Sequence, residues 1–289
     1  MRLHLTIRSV RGGSSIPLSY SYYLSTALYR WIEQSSPEYS AFLHDHGFPL
    51  DGTLRRFKHF CFSQLDVPKR RITNGRLQIL SPTINWYIGM PVEETLQHLV
   101  VGMFESREFY IEREENEFVV EQVETMPEPE WKSPMRFRMI SPLTVSVPEE
   151  RNGRLIPHYL QADDARLSDA LRRNIVNKYR SLCRSEWPAR RNGSAGEHSD
   201  HTITSDYQSD LQDTEFRCTL DEKFITDRGG PEKISKLITI KQGRPDETKV
   251  RGFMCPLTIE GNPELIKFAY ESGLGEKGSL GFGMLEVIE

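Results

Sequence analysis

Cysteine is scarce: Cys61, Cys183, Cys218 and Cys255 are scattered through 289 residues with no CxxC pair. That spacing argues against both a disulfide framework and a zinc knuckle, and suits buried thiols in a reducing compartment. Long apolar runs are also missing. No stretch approaches the roughly 18 apolar residues of a membrane span, so no membrane association is expected. The N-terminal MRLHLTIRSV alternates like a strand and lacks the apolar centre of a signal peptide, which makes a cytoplasmic protein the expectation. A surplus of basic residues is absent as well. The net charge of −4 is not that of a general nucleic-acid binder.

Distribution says more than the total. Asp51 to Arg76 carries Arg55, Arg56, Lys58, Lys69, Arg70, Arg71 and Arg76 against two acids, whereas Glu105 to Glu130 carries ten Glu against two Arg. A basic stretch can face phosphates while an acidic edge faces elsewhere.

Periodicity predicts a strand over Arg2–Val10, helices over Leu18–Gln34 and Pro37–His46, and a strand over Phe57–Leu65. Strand pattern recurs in Gly75–Gly89, followed by a helix over Val92–Phe104 and strands within Phe109–Val123. The sum is βαββαβ, the order of a ferredoxin-like or RRM-like domain. The second half repeats it. Met135–Val147 reads as strand, Asp164–Trp187 as a helix striped by Leu167, Leu171, Ile175 and Tyr179, and Phe216–Ile225, Ile234–Lys241 and Val250–Ile259 as strands. The expected fold class is therefore α+β, with two tandem domains over residues 1–128 and 129–289 joined near MPEPEWK, where two prolines break the pattern. Residues 190–213 are polar and read as a mobile insertion; His198 and His201 there read as surface residues rather than metal ligands.

Glycine concentrates in one place. GLGEKGSLGFG, Gly273 to Gly283, holds five glycines in eleven residues. Backbone without Cβ can approach a ligand closely, and successive N–H groups can cradle anionic oxygens. GLGEKG matches the dinucleotide pattern GxGxxG, but that fingerprint requires a strand before the loop and a helix after it. Here the order is reversed. Asn262 as N-cap, Pro263 at the first helical position and Gly273 just past the end predict a helix before the loop, and FGMLEVIE predicts a strand after it. A P-loop also fails, because Ser279 follows Gly278 where lysine is needed.

His44 and His46 in FLHDHGF and His59 in FKHF form a cluster, yet positions i and i+2 of a helix do not share a face and no further ligand stands at metal spacing. No metal is expected. In one straight helix Tyr29 and His44 would lie about 22 Å apart. A reversal at Ser35, Ser36 and Pro37 would bring them to similar heights on adjacent helices, with Lys58 near enough to add a fixed positive charge. From the residues alone, a core tyrosine, a helix-end histidine and a surface lysine remain the plainer account.

These residues together with the glycine loop resemble the CRISPR-associated endoribonucleases that process precursor CRISPR RNA, the Cas6 family of the repeat-associated mysterious protein superfamily. The resemblance spans nearly the whole chain. Its most specific element is the loop pattern of glycine, apolar residue, glycine, five residues, then glycine, aromatic, glycine. YSYYLSTALYRWIEQSSPEYSAFLHDHGF is similar to that family's first helix pair, FKHFCFSQL to its next strand, and SPLTVSV to the opening of its second domain. The resemblance implies a metal-free, cofactor-free catalytic set of Tyr29, His44 and Lys58, with His46 and His59 close enough to stand in for His44. It also implies 2′-OH attack on the adjacent phosphorus, giving 2′,3′-cyclic phosphate and 5′-OH ends. An imidazole, with an ordinary pKa of about 6.5, can serve as base or acid in that reaction. The implied partner is CRISPR repeat RNA, as precursor and as mature guide, gripped by Arg55, Arg56, Lys69, Arg70, Arg71 and by Gly273, Gly275, Lys277, Gly278, Ser279, Gly281 and Gly283. Effector-complex subunits and a second copy of the chain stand as further partners. The competing expectation is a non-catalytic RNA scaffold with the same fold.

Overall fold

The computed structural model describes residues 1–183 and 215–288; the insertion read at 190–213, with His198 and His201, lies outside the described residues. In β1 (Arg2–Ser9) Leu3, Leu5 and Ile7 all point into the core, as period-two alternation dictates. α1 (Ser21–Ser35) buries Leu24, Leu28, Trp31 and Ile32 along one stripe. It packs on α3 (Glu93–Glu105), where a Cβ on Gly102 would overlap the Trp31 carbonyl. With β2 (Cys61–Phe62), β3 (Ile84–Gly89) and the hairpin β4 (Glu108–Ile111) and β5 (Arg113–Thr125), the sheet runs β2-β3-β1-β5-β4, every neighbouring pair antiparallel.

The second half uses the same plan. Its main elements are β6 (Met135–Met139), α4 (Leu167–Cys183), β7 (Phe216–Leu220), β8 (Leu257–Gly261), α5 (Pro263–Ser272) and β9 (Leu285–Val287). The sheet order is β7-β8-β6-β9, again antiparallel throughout. In both halves the second, third, first and last strands lie side by side in that order, with β4 added at the edge of the first sheet. The protein is α+β, built from two ferredoxin-like βαββαβ units.

Four expected strands differ in extent, and one of them, Met135–Val147, ends at Met139. Within Phe57–Leu65 only Cys61–Phe62 pairs with β3, because His59 has φ +50 and interrupts the extended chain. Phe216–Ile225 ends at Leu220, since the Asp221 side chain accepts from Phe224 N at 2.9 Å and starts a short helix. Val250–Ile259 divides around Pro256: Thr248–Phe253 pairs with Ser235–Ile240 in a hairpin, while Leu257–Gly261 joins the main sheet.

The two halves are interlocked. The buried Arg2 guanidinium lies 3.2 Å from the Tyr270 ring centroid, and its Nε donates to Tyr270 O at 3.1 Å. The Met1 ammonium donates to Glu271 Oε1 at 2.6 Å. Ser25 Oγ on α1 donates to Ser279 O at 2.7 Å, holding the glycine loop against the first helix. Among the described residues no helix is long and apolar enough to cross a membrane.

Candidate active site

The chain reverses where Ser36 and Pro37 demand it. The Ser36 side chain accepts from Tyr39 N at 3.2 Å, and Pro37 opens α2 (Pro37–Ala41) at a position where a missing N–H costs nothing. The helix continues as a π-turn over Phe42–His46 and stops at Gly47, whose φ is +61. The Tyr29 and His44 rings meet edge to face, with centroids 5.3 Å apart. Lys58 Nζ donates to the carbonyls of Leu43 and His44, two acceptors that the end of a helix leaves open. All three side chains are therefore together, and one of them holds the turn that carries another.

Their surroundings differ. His44 is exposed, and its Nδ1 lies 2.7 Å from Asp45 Oδ1. That hydrogen bond holds the Asp45 carboxyl below its usual range. Burial pushes the Tyr29 phenol well above 10, partly countered by a hydrogen bond with Ser279 of the glycine loop. Partial burial lowers the Lys58 ammonium, with the Asp45 charge acting against it. His46 is exposed on the same turn as His44.

His59 is no alternative to His44. It is 3% exposed, enclosed by Phe48, Phe57 and Phe268. Ser181 gives its only proton to Lys178 O, so His59 Nε2 donates to Ser181 Oγ at 2.9 Å, and Nδ1 has no partner. Burial, reinforced by the Lys178 charge, drops its pKa to about 3. The folded protein thus holds His59 neutral, while the unfolded chain protonates it near pH 6.5. Stability from this group is complete above pH 6.5 and is lost as pH falls toward 3. Lowering the pH from 6.5 to 5 should cost the wild type about 1.5 kcal/mol more than His59→Asn, read by urea unfolding at both pH values.

The glycine loop does not expose its glycines as a ligand cradle. Gly273, Gly275, Gly281 and Gly283 are buried against their own chain. A Cβ at Gly275 would overlap Thr144 O, one at Gly281 would lie 2.6 Å from Phe62 Cε2, and one at Gly273 would lie 2.8 Å from Cys61 Cβ. The structure places these four, expected at the RNA, in packing positions. Only the tip, Glu276 to Leu280, opens outward. With residues 55–60 and α4 it lines a cleft of about 410 Å³. Arg55, Arg56, Lys58, Lys277, Gly278 and Ser279 face this cleft; Lys69, Arg70 and Arg71 do not. Lys69 precedes, and the two arginines stand on, a hairpin of Arg70–Thr73 and Arg76–Ile79 in another sheet. The cleft also takes in Asn174 and Lys178, which sequence reasoning missed. Both stand one turn apart in the stripe of α4, and an amide and an ammonium among buried Leu171, Ile175 and Tyr179 were the available signal.

Residues 126–287 match the family description CRISPR associated protein Cas6, C-terminal, and residues 15–124 match CRISPR-associated protein Cas6, N-terminal. The chain belongs to the Cas6 family. Cas6 relatives include the CRISPR-associated endoribonuclease Cas6 1 of Methanocaldococcus jannaschii, 24% identical over all of this chain and 93% of its own length. The CRISPR-associated endoribonuclease Cas6 of Pyrococcus furiosus is also 24% identical, over 94% of this chain and 83% of its own. Among solved structures, that of a Cas6-related gene from Pyrococcus furiosus superposes with a TM-score of 0.74 at 23% identity, covering 100% of this chain and 98% of that one. A protein described as an RAMP protein binding different RNA substrates gives 0.73 at 22%, covering both chains fully. These likenesses carry the Cas6 fold across the whole length of the chain.

Proposed function

We propose that this Cas6 protein is a metal-independent endoribonuclease that cuts CRISPR repeat RNA to release guide RNAs. The observation that carries the reading is the convergence of Tyr29, His44 and Lys58 at the edge of a basic cleft. RNA brings its own nucleophile, so the protein has to align the 2′-OH with the phosphorus, move two protons and stabilise the added negative charge. With Nδ1 engaged by Asp45, His44 Nε2 is the nitrogen available to take the 2′-OH proton or to give one to the 5′-oxygen. Tyr29, its phenol held protonated by burial, acts as a hydrogen-bond donor and not as a base. Lys58 supplies positive charge toward the phosphorane and anchors the turn beneath His44. The products are a 2′,3′-cyclic phosphate and a 5′-OH.

The test is to incubate the purified protein with repeat RNA in EDTA and map the ends. Cleavage at one position with those two termini is the expected result; intact RNA overturns the enzyme reading and leaves an RNA-binding scaffold. Binding should weaken linearly on a log–log plot against salt, as phosphate contacts release counterions. Arg55→Ala and Arg56→Ala should each lower the steepness of that plot by about 0.7 to 0.9, whereas Arg71→Ala, away from the cleft, should leave it unchanged.

A further inference from the structure

The cleft beside the glycine loop holds a buried acceptor with nothing to accept from. Asn174 is 7% exposed and lines the cleft, and its Oδ1 has no hydrogen-bond partner. Native structures rarely leave such a group unpaired; this oxygen is closed off from solvent at the wall of the cleft, where a turn of the amide would present it to an incoming donor.

The neighbours narrow what that donor belongs to. Arg55, Lys58 and Lys277 at the cleft suit a polyanion. A phosphodiester, however, has no proton to give Asn174. Lys178, one turn further along α4, is committed to Gly273 O at 2.8 Å. The Glu276 carboxylate is taken by Ser146, whose Oγ lies 3.1 and 3.0 Å from its two oxygens. Phe57, half-buried and backed by the nearly parallel His59 ring, adds an aromatic wall. Cations outside, an aromatic beside and an orphan amide oxygen within are what an unstacked base of a single-stranded RNA needs.

We propose that this cleft is a base-reading subsite, and the proposal rests on the RNA-cutting reading above. A base carrying an exocyclic amino group next to a ring acceptor, adenine or cytosine, enters beside Phe57. It donates its amino proton to Asn174 Oδ1 and accepts from the Asn174 amide NH2, the paired recognition that an asparagine amide offers such an edge. Because Lys58 belongs both to this cleft and to the Tyr29–His44 cluster, the base read is one close to the cut linkage.

The experiment uses the full chain and a series of repeat RNAs in which each adenosine or cytidine near the cut is replaced, one at a time, by purine riboside or pyrimidinone riboside, which lack only the amino group. Single-turnover cleavage and fluorescence-anisotropy binding are measured for wild type, Asn174→Ala and Asn174→Asp. At one position, loss of the amino group should weaken the wild type by about 5- to 150-fold. Asn174→Ala should not respond there, while Asn174→Asp, which keeps the acceptor, should. Asn174→Ala also removes buried packing, so each comparison is made within one variant, between RNAs with and without the amino group, and a loss of folded protein cancels. Cleavage indifferent to every amino deletion, or an alanine variant that keeps the preference, overturns the subsite and leaves the ribonuclease reading standing. RNA bound with the preference and never cut overturns the ribonuclease reading and keeps the subsite. Absence of RNA binding overturns both.

Discussion

Alanine in place of His44 should leave repeat RNA bound and slow its cleavage by about 10²- to 10⁴-fold, the usual contribution of a positioned general acid or base. The side chain is exposed and makes one hydrogen bond, to its neighbour Asp45, so unfolding free energy should stay within about 0.5 kcal/mol of wild type. Retained affinity and retained stability with lost cutting is the pattern of a group that acts on the transition state. His46→Ala is the necessary comparison, because His46 stands exposed on the same turn. If His46→Ala stops cleavage and His44→Ala does not, the assignment is reversed. Lys58→Ala is a poorer probe of charge, since it also releases the Leu43 and His44 carbonyls and frees the turn that holds the imidazole.

Local chemistry made much of the fold legible. Leu3, Leu5 and Ile7 alternate and are buried, and Asn262 caps α5 by accepting from Glu264 N at 2.8 Å, with Pro263 and Gly273 at its two ends. The helix reversal could also be read, because Ser36 and Pro37 can start a helix and cannot continue one. What escaped was whatever depends on the far half of the chain. By sequence His59 is a spare catalytic imidazole, and what removes it from that role is its enclosure by Ser181 and Phe268, more than 120 residues on. Its positive φ, which shortens β2, leaves no mark in FKHFCF. Asn174 and Lys178 sit at helical spacing, so periodicity assigns them a face but cannot show that the face borders a cleft closed by residues 55–60 and by the loop tip. Charge density had the same weakness. Arg55 and Arg71 lie in one basic stretch of sequence, and strand pairing sends them to different places.

Gly283→Ala should cost about 3 kcal/mol or more of stability. At φ +72 an alanine carries left-handed strain of about 1–3 kcal/mol. In addition its Cβ would overlap Leu274 O, the backbone of the loop's opposite limb, and overpacking of this kind costs about 1–3 kcal/mol. Relief by a small shift is blocked. Gly283 O accepts from Leu274 N at 2.8 Å and Gly283 N donates to Pro142 O at 2.8 Å, so the residue is fixed on both sides. The glycine pattern, which sequence alone suggests is for touching RNA, is on this account a condition for closing the loop on itself and presenting Glu276 to Leu280 to the cleft. The two accounts give opposite results. If the glycines serve RNA directly, Gly283→Ala unfolds in urea like wild type and loses RNA affinity. If they serve packing, the urea midpoint falls, and the affinity of the fraction still folded changes far less than it does on replacing Lys277 at the tip with alanine.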